Sequence, residues 1–287
     1  MSLREGVNKN RLTGMNGKPR ERTLKILTLF GLLLALSMSA AMAAEDDVMK
    51  ELIPTGKLRA GIAYAPAKTP VFVTKDASGQ VEGVGLDLAK ALARSLGVEV
   101  ELFVAPTTGE LTEASTTGKI DIGFTPVDEE RKKRVDFSPP YFIIESTYLV
   151  TAASGITAQA EVDRPEVTVA GIAGSTTIRA AGRSLKQAKI VELKSVADAM
   201  SMMQAGTAQA LALSRDAMPA LQKTLPGSRI LDGAYQITGV AISVPKNKPA
   251  ALAFVTSFIE KAKVDGTLRR AFDAAGLRDL SVAPAGE

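Results

Sequence analysis

Gly118-Lys119-Ile120-Asp121-Ile122-Gly123-Phe124-Thr125-Pro126-Val127-Asp128-Glu129-Glu130-Arg131-Lys132-Lys133-Arg134-Val135-Asp136-Phe137-Ser138-Pro139-Pro140-Tyr141 is the stretch on which the reading of this chain turns. Ile120, Ile122 and Phe124 alternate with Asp121 and Gly123, which predicts a half-buried strand ending at Phe124. Thr125-Pro126 follows as a turn, and Asp128 is placed to cap the N-terminus of a short helix. Taken alone, Glu129 to Arg134 describes a solvated charged face. The alternative is that Arg131 turns inward, where a planar guanidinium can clamp a carboxylate through two parallel hydrogen bonds.

Working outward, short β-like runs alternate with amphipathic helical segments, which predicts an α/β fold. Upstream, Leu58–Ala63 reads as a strand, and 75–80 as turn chemistry between two short strands. Leu86, Leu88, Ala89, Leu92, Ala93 and Leu96 recur at helical spacing up to Gly97, and Val98, Val100 and Leu102 alternate as a strand. Downstream, Val167–Ile172 predicts a strand, Gly174-Ser175-Thr176-Thr177 the start of a helix, Val196–Met203 a helix closed by Gly206, and Ala208–Leu213 a strand. Gly239–Val244 reads as a strand stopped by Pro245, and 249–276 as two terminal helices. Two such groups suggest two lobes.

The composition removes whole classes of chemistry. The 287 residues include no His, Cys or Trp, which excludes a Ser-His-Asp triad, a thiol nucleophile, a zinc-finger site and disulfides. The formal charge of +4 invites a nucleic-acid reading, but the surplus sits at the front. Residues 1–44 carry seven basic and two acidic side chains, then an apolar block from Ile26 to about Ala40 and small residues through Ala44. That pattern predicts a secretory signal peptide over 1–44, cleaved after Ala43 or Ala44. The remainder holds 28 basic and 29 acidic residues, so nucleic-acid binding loses its support. Without a Cys to carry a lipid, the mature protein is expected free in the periplasm.

The central stretch resembles the hallmark of family-3 periplasmic solute-binding proteins of the polar amino acid type: Gly-Lys-x-Asp, then Thr-x-x-x-Arg-x-x-x-Val-Asp-Phe-Ser-x-Pro-Tyr. The likeness continues in Gly79–Ala89, Val169–Thr176, Ala205–Ala210 and Gly239–Lys246, in the family's order and spacing over 54–280. The resemblance implies a type II two-lobed periplasmic-binding-protein fold whose two crossover strands, about Ile143–Ala152 and Gly239–Val244, form the hinge. Lobe one is expected over 45–145 plus 245–287 and lobe two over 148–240. The implied function is to bind a small carboxylate-bearing solute, foremost an amino acid, and deliver it to an ABC permease in the inner membrane. The protein is then a monomer that needs no cofactor.

By the same resemblance, Arg131 matches the residue that clamps the ligand carboxylate, and Gly174-Ser175-Thr176 matches the turn opening the second-lobe helix. Hydroxyls and free N–H groups at a helix start form an anion site on physical grounds too, although plain N-capping explains the turn equally well. The Ser/Thr before the Arg falls near Pro126, where Thr125 and the main chain of Phe124 are substitutes. The family's acid for the ligand ammonium falls at Ser214. Asp216 shares that face if the strand continues, or else caps the following helix, Ala217–Leu221. Tyr64 or Phe72 is the candidate aromatic wall, and Tyr141 is expected to pack near the crossover. Two alternatives share the scaffold. One is a dehydratase of the cyclohexadienyl (prephenate or arogenate) type, with Glu145 or Asp216 as its acid; the other is a sensor that presents ligand to a membrane receptor.

Overall fold

Strand β1 (Leu58–Ala63) buries every residue except Arg59, the pattern of a strand covered on both faces. A computed structural model describes residues 45–65, 69–76 and 78–286; the expected signal peptide lies outside them. The hairpin β2 (Thr74–Lys75) and β3 (Val81–Glu82) is closed by the Asp76 carboxylate, which accepts from the N–H groups of Ser78 and Gln80. Helix α1 (Val84–Ser95) then lays Leu88, Ala89, Leu92 and Ala93 on the core and ends at Gly97, whose φ of 68° suits a helix stop. It returns the chain to β4 (Val100–Ala105), parallel to β1. Helix α2 (Thr108–Thr116) leads to β5 (Ile122–Pro126), parallel to β1 on its other side.

Asp121 fixes the entry to β5. Its carboxylate accepts from the main-chain N–H of Arg59 and, through both oxygens, from that residue's guanidinium at 3.0 and 2.6 Å. After β5 come the short helix α3 (Glu129–Lys132), β6 (Val135–Phe137) and the long strand β7 (Phe142–Val150). A second set of elements follows: β8 (Thr168–Ile172), α4 (Thr176–Ser184), β9 (Lys189–Leu193), α5 (Val196–Gln204), β10 (Ala210–Ser214), α6 (Met218–Gln222) and β11 (Arg229–Ile230). Strand β12 (Gln236–Pro245) returns to the first set, and α7 (Pro249–Val264) and α8 (Thr267–Ala274) pack on it.

The pairing makes a continuous path, β4-β1-β5-β12-β7-β10-β8-β9, with β6 beside β12 and β11 beside β7. Strand β12 pairs with β5 through Val240–Ser243 and with β7 through Gln236–Val240, both antiparallel. These two strands alone, among the described elements, pass between the lobes, so the expected two-lobed α/β architecture with a two-strand hinge is the one found. One core gathers Ile62, Leu88, Leu92, Phe124 and Phe272. The second lobe buries Met203, Leu211 and Met218 on one face of its sheet and Tyr148, Val169 and Ile178 on the other.

Local differences have local causes. Strand β12 starts at Gln236, ahead of the expected Gly239, because its first residues pair with β7 before it reaches β5. Val98 lies outside β4 because its N–H bonds the Ala93 carbonyl and closes α1. Helix α2 carries little apolar periodicity; it buries Thr108, Thr112 and Ser115 beside Leu111 and Ala114. No described helix is long and apolar enough to cross a membrane.

Candidate functional site

Parallel strands with helices on both faces leave their carboxyl ends open for ligands. Three helices begin there, each capped by a hydroxyl. Thr107 Oγ1 accepts from the Glu110 N–H at 3.2 Å, Ser175 Oγ from Ile178 at 3.2 Å, and Ser195 Oγ from Asp198 at 3.1 Å. These are the starts of α2, α4 and α5, the first from lobe one and the other two from lobe two. All three open onto one interlobe cavity of about 300 Å³. Its hydroxyls come from Tyr64, Thr107, Thr108, Ser175, Thr176, Thr177, Ser195 and Ser214. Its apolar walls are Val71, Phe72 and Ile144 on one side and Ile172, Val196 and Leu213 on the other. None of the described lining residues is charged. Three helix N-termini make the cavity electropositive without a formal charge.

Arg131 does turn inward, as one of the two sequence readings held. It is 2% exposed, whereas Glu129, Glu130, Lys132 and Lys133 stay outside and pair with one another. Its guanidinium faces protein acceptors: Thr112 Oγ1 from Nε at 3.1 Å, the Pro126 carbonyl from Nη1 at 2.8 Å, and Thr108 Oγ1 and the Gly174 carbonyl from Nη2 at 2.8 and 2.9 Å. Arg131 therefore borders the groove next to the cavity rather than the cavity wall. Burial pushes its pKa down to about 10, with Asp128 opposing and Arg179 assisting, so it stays cationic at neutral pH.

Two further contacts join the lobes beside it. Asp128 caps α3 by accepting from the Arg131 N–H at 2.8 Å, as expected, and its second oxygen accepts from Arg179 of lobe two. Burial alone would raise the Asp128 pKa, but the Arg131 N–H and the two guanidinium groups outweigh it and hold the carboxyl below its usual value. Gly109, in the first turn of α2, lies against Gly174: a Cβ on Gly109 would stand 3.3 Å from the Gly174 Cα.

The remaining candidates fall into three groups. Ser175, Thr176, Ser214, Tyr64 and Phe72 share the cavity wall. Phe124 and Thr125 are buried behind it: Phe124 meets Tyr141 edge to face at 6.1 Å, and the Thr125 hydroxyl donates to the Pro126 carbonyl. Tyr141 is fully buried, donates to the Pro70 carbonyl, and packs beside the crossover as expected. Gly174 contributes its carbonyl to Arg131. Glu145 and Asp216 stand apart, on a groove between the hinge strand and the C-terminal tail. Glu145 pairs there with Arg215.

Asp216 does not cap the following helix. That helix begins at Met218 without a side-chain cap, and both Asp216 oxygens are buried with no hydrogen-bond partner. The strand turns into a 3-10 turn at Arg215, so Asp216 leaves the face of Ser214. Sequence reasoning passed over Thr107, Thr108 and Ser195. The signal was present in Thr107-x-x-Glu110 and Ser195-x-x-Asp198, where a hydroxyl three residues before an acid marks a helix start.

Two lobes on a two-strand hinge, enclosing a cavity ringed by helix N-termini, define a binding protein for a small solute. The family model of bacterial extracellular solute-binding proteins, family 3, matches residues 62–274, and the chain belongs to that family. It is similar to the ABC transporter glutamine-binding protein GlnH of Bacillus subtilis, 26% identical over 85% of this chain and 92% of that protein. It is also similar to the cyclohexadienyl dehydratase of Pseudomonas aeruginosa, 28% identical over 55% of this chain and 59% of the enzyme. Among solved structures, the ancestral amino acid-binding protein AncCDT-1, a precursor of cyclohexadienyl dehydratase, superposes with a TM-score of 0.67 at 33% identity, covering 78% of this chain and 97% of that one.

Proposed function

We propose that this protein is the periplasmic receptor of an ABC importer and that it holds a small carboxylate-bearing solute in the interlobe cavity. The carrying observation is the convergence of three helix N-termini on one cavity with Ser175 and Thr176 on its wall. The first N–H groups of α4 and these hydroxyls form a carboxylate cradle. The resemblance to GlnH makes amino acids the first solutes to try. Contacts from both lobes form only when the cleft is shut, so the solute favours closure. Arg131 acts from beside the cavity: it holds Gly174, and through it the cradle, or exchanges that carbonyl for the solute carboxylate.

The remaining assignments belong to the same proposal: cleavage after Ala43 or Ala44, lobe one over 45–145 plus 245–287, lobe two over 148–240, and a monomer docking on a membrane permease. The separation of the cores supports the lobe limits. A receptor is preferred over a dehydratase because Glu145 and Asp216 face the groove behind the hinge strand. A dehydratase needs a proton donor against its substrate.

Native mass spectrometry of the freshly purified mature protein tests the reading. A co-purified carboxylate that is absent from Arg131→Ala is the expected result. Release of phenylpyruvate from prephenate at enzymatic rates would replace the receptor with the dehydratase.

A further inference from the structure

We infer that the solute is an apolar carboxylate carrying no ammonium group, such as a branched or aromatic 2-oxo acid. The inference rests on the receptor reading and narrows its solute class. No Asp or Glu lines the cavity among the described residues. A buried ammonium needs a carboxylate or a full set of acceptors, because leaving water unpaired is costly for a charge. The cavity instead presents hydroxyls, several of them already engaged: Thr107, Ser175 and Ser195 cap helices, Thr108 Oγ1 accepts from Arg131, and Ser175 Oγ lies 2.9 Å from Thr177 Oγ1.

The field points the same way. Three helix N-termini favour negative charge at the cavity and repel an ammonium placed there. Asp216, the acid two residues beyond the wall residue Ser214, borders the groove behind the hinge strand. The apolar wall residues Val71, Phe72, Ile144, Ile172, Val196 and Leu213 match an alkyl or aryl group. A carboxylate at the helix starts with such a group against these walls leaves no charge unmet.

Isothermal titration of the mature protein with matched pairs tests this: leucine against 4-methyl-2-oxopentanoate, phenylalanine against phenylpyruvate, and methionine against its 2-oxo analogue. At least one oxo acid should bind tenfold or more tightly than its amino acid, a difference of about 1.4 kcal/mol. Ser214→Asp, which puts an acid on the wall, should reverse that order, with the circular dichroism spectrum and melting curve confirming that the variant folds. Amino acids that match or exceed their oxo acids in the unmodified protein overturn the inference and leave the receptor standing. Silence from every carboxylate in both proteins overturns the receptor reading itself.

Discussion

Arg131 Nη2 donates to the carbonyl oxygen of Gly174 at 2.9 Å, so a side chain rooted in lobe one holds the turn that opens α4 in lobe two. The same guanidinium ties Thr108, Thr112 and Pro126 together. Arg131→Ala leaves these buried groups and Asp128 short of a partner. Breaking such a network costs about 3–5 kcal/mol. Urea unfolding should show that loss, and Arg131→Lys, which keeps the charge but not the fork, should recover only part of it.

Arg179 reaches Asp128 across the cleft, and its removal leaves Asp128 with the Arg131 N–H that caps α3. Arg179→Met should therefore spare the fold and weaken closure. Solute affinity is expected to fall about tenfold, mostly through faster release. Stopped-flow dissociation separates this from a loss of association. The Asp128 carboxyl has a lowered pKa, so its contribution is full above the unfolded value of about 3.9 and disappears as pH falls through the folded one. Small-angle scattering should show the lobes parting on acidification, a step that Arg179→Met, already without the cross-cleft pair, should lack.

Gly109 and Gly174 let the lobes touch through main chain alone. A Cβ at Gly109 would lie 3.3 Å from the Gly174 Cα, and the branches of valine would reach further. Gly109→Val should hold the cleft ajar. Solute binding is expected to fall by about a hundredfold or more, with a stability change near 1 kcal/mol, since the position is helical and the cost falls on closure. Calorimetry and urea unfolding on one preparation check both halves.

Asp216 keeps a carboxyl buried without a hydrogen-bond partner. Burial pushes its pKa up, and the Ser214 hydroxyl and its own N–H, close by but outside hydrogen-bond geometry, offset only part of this. Between the unfolded value of about 3.9 and the raised folded one, unfolding releases a proton, so stability falls as pH rises through that window. Asp216→Asn should flatten this slope and exceed the unmodified protein in stability at neutral pH. Urea midpoints from pH 3.5 to 7.5 measure it.

Much of the fold was legible because it rests on local rules. The cap at Asp128 and the stop at Gly97 each follow from neighbouring residues, and each is found; the strand around Ile122 and Phe124 is found too, but it is buried throughout instead of half-buried and runs on through the expected turn to Pro126, because it lies inside the sheet between β1 and β12. Helix α2 was not legible from periodicity, since most of its inner face bears hydroxyls, two of them held by Arg131, and only Leu111 and Ala114 pack on apolar neighbours. Within the site, Ser175 and Thr176 could be read from their turn, and Ser214 and Tyr64 reach the wall as well. Asp216 could not be placed, because whether β10 runs two residues further depends on the packing of the 3-10 turn after it.

The sequence by itself determined the class of fold, the family and the helix start at Ser175-Thr176, while leaving Arg131 between a solvated face and an inward clamp. Those properties come from periodicity, capping chemistry and ordered motifs, all carried by residues close together in the chain. Only the tertiary structure decided what Arg131 points at, which acids are kept from the cavity, and that three helix N-termini from two lobes meet there. The acceptors of Arg131 lie at Thr108, Thr112, Pro126 and Gly174, up to 43 positions away; the first three meet it as lobe one folds, and the Gly174 carbonyl joins them only when the lobes close.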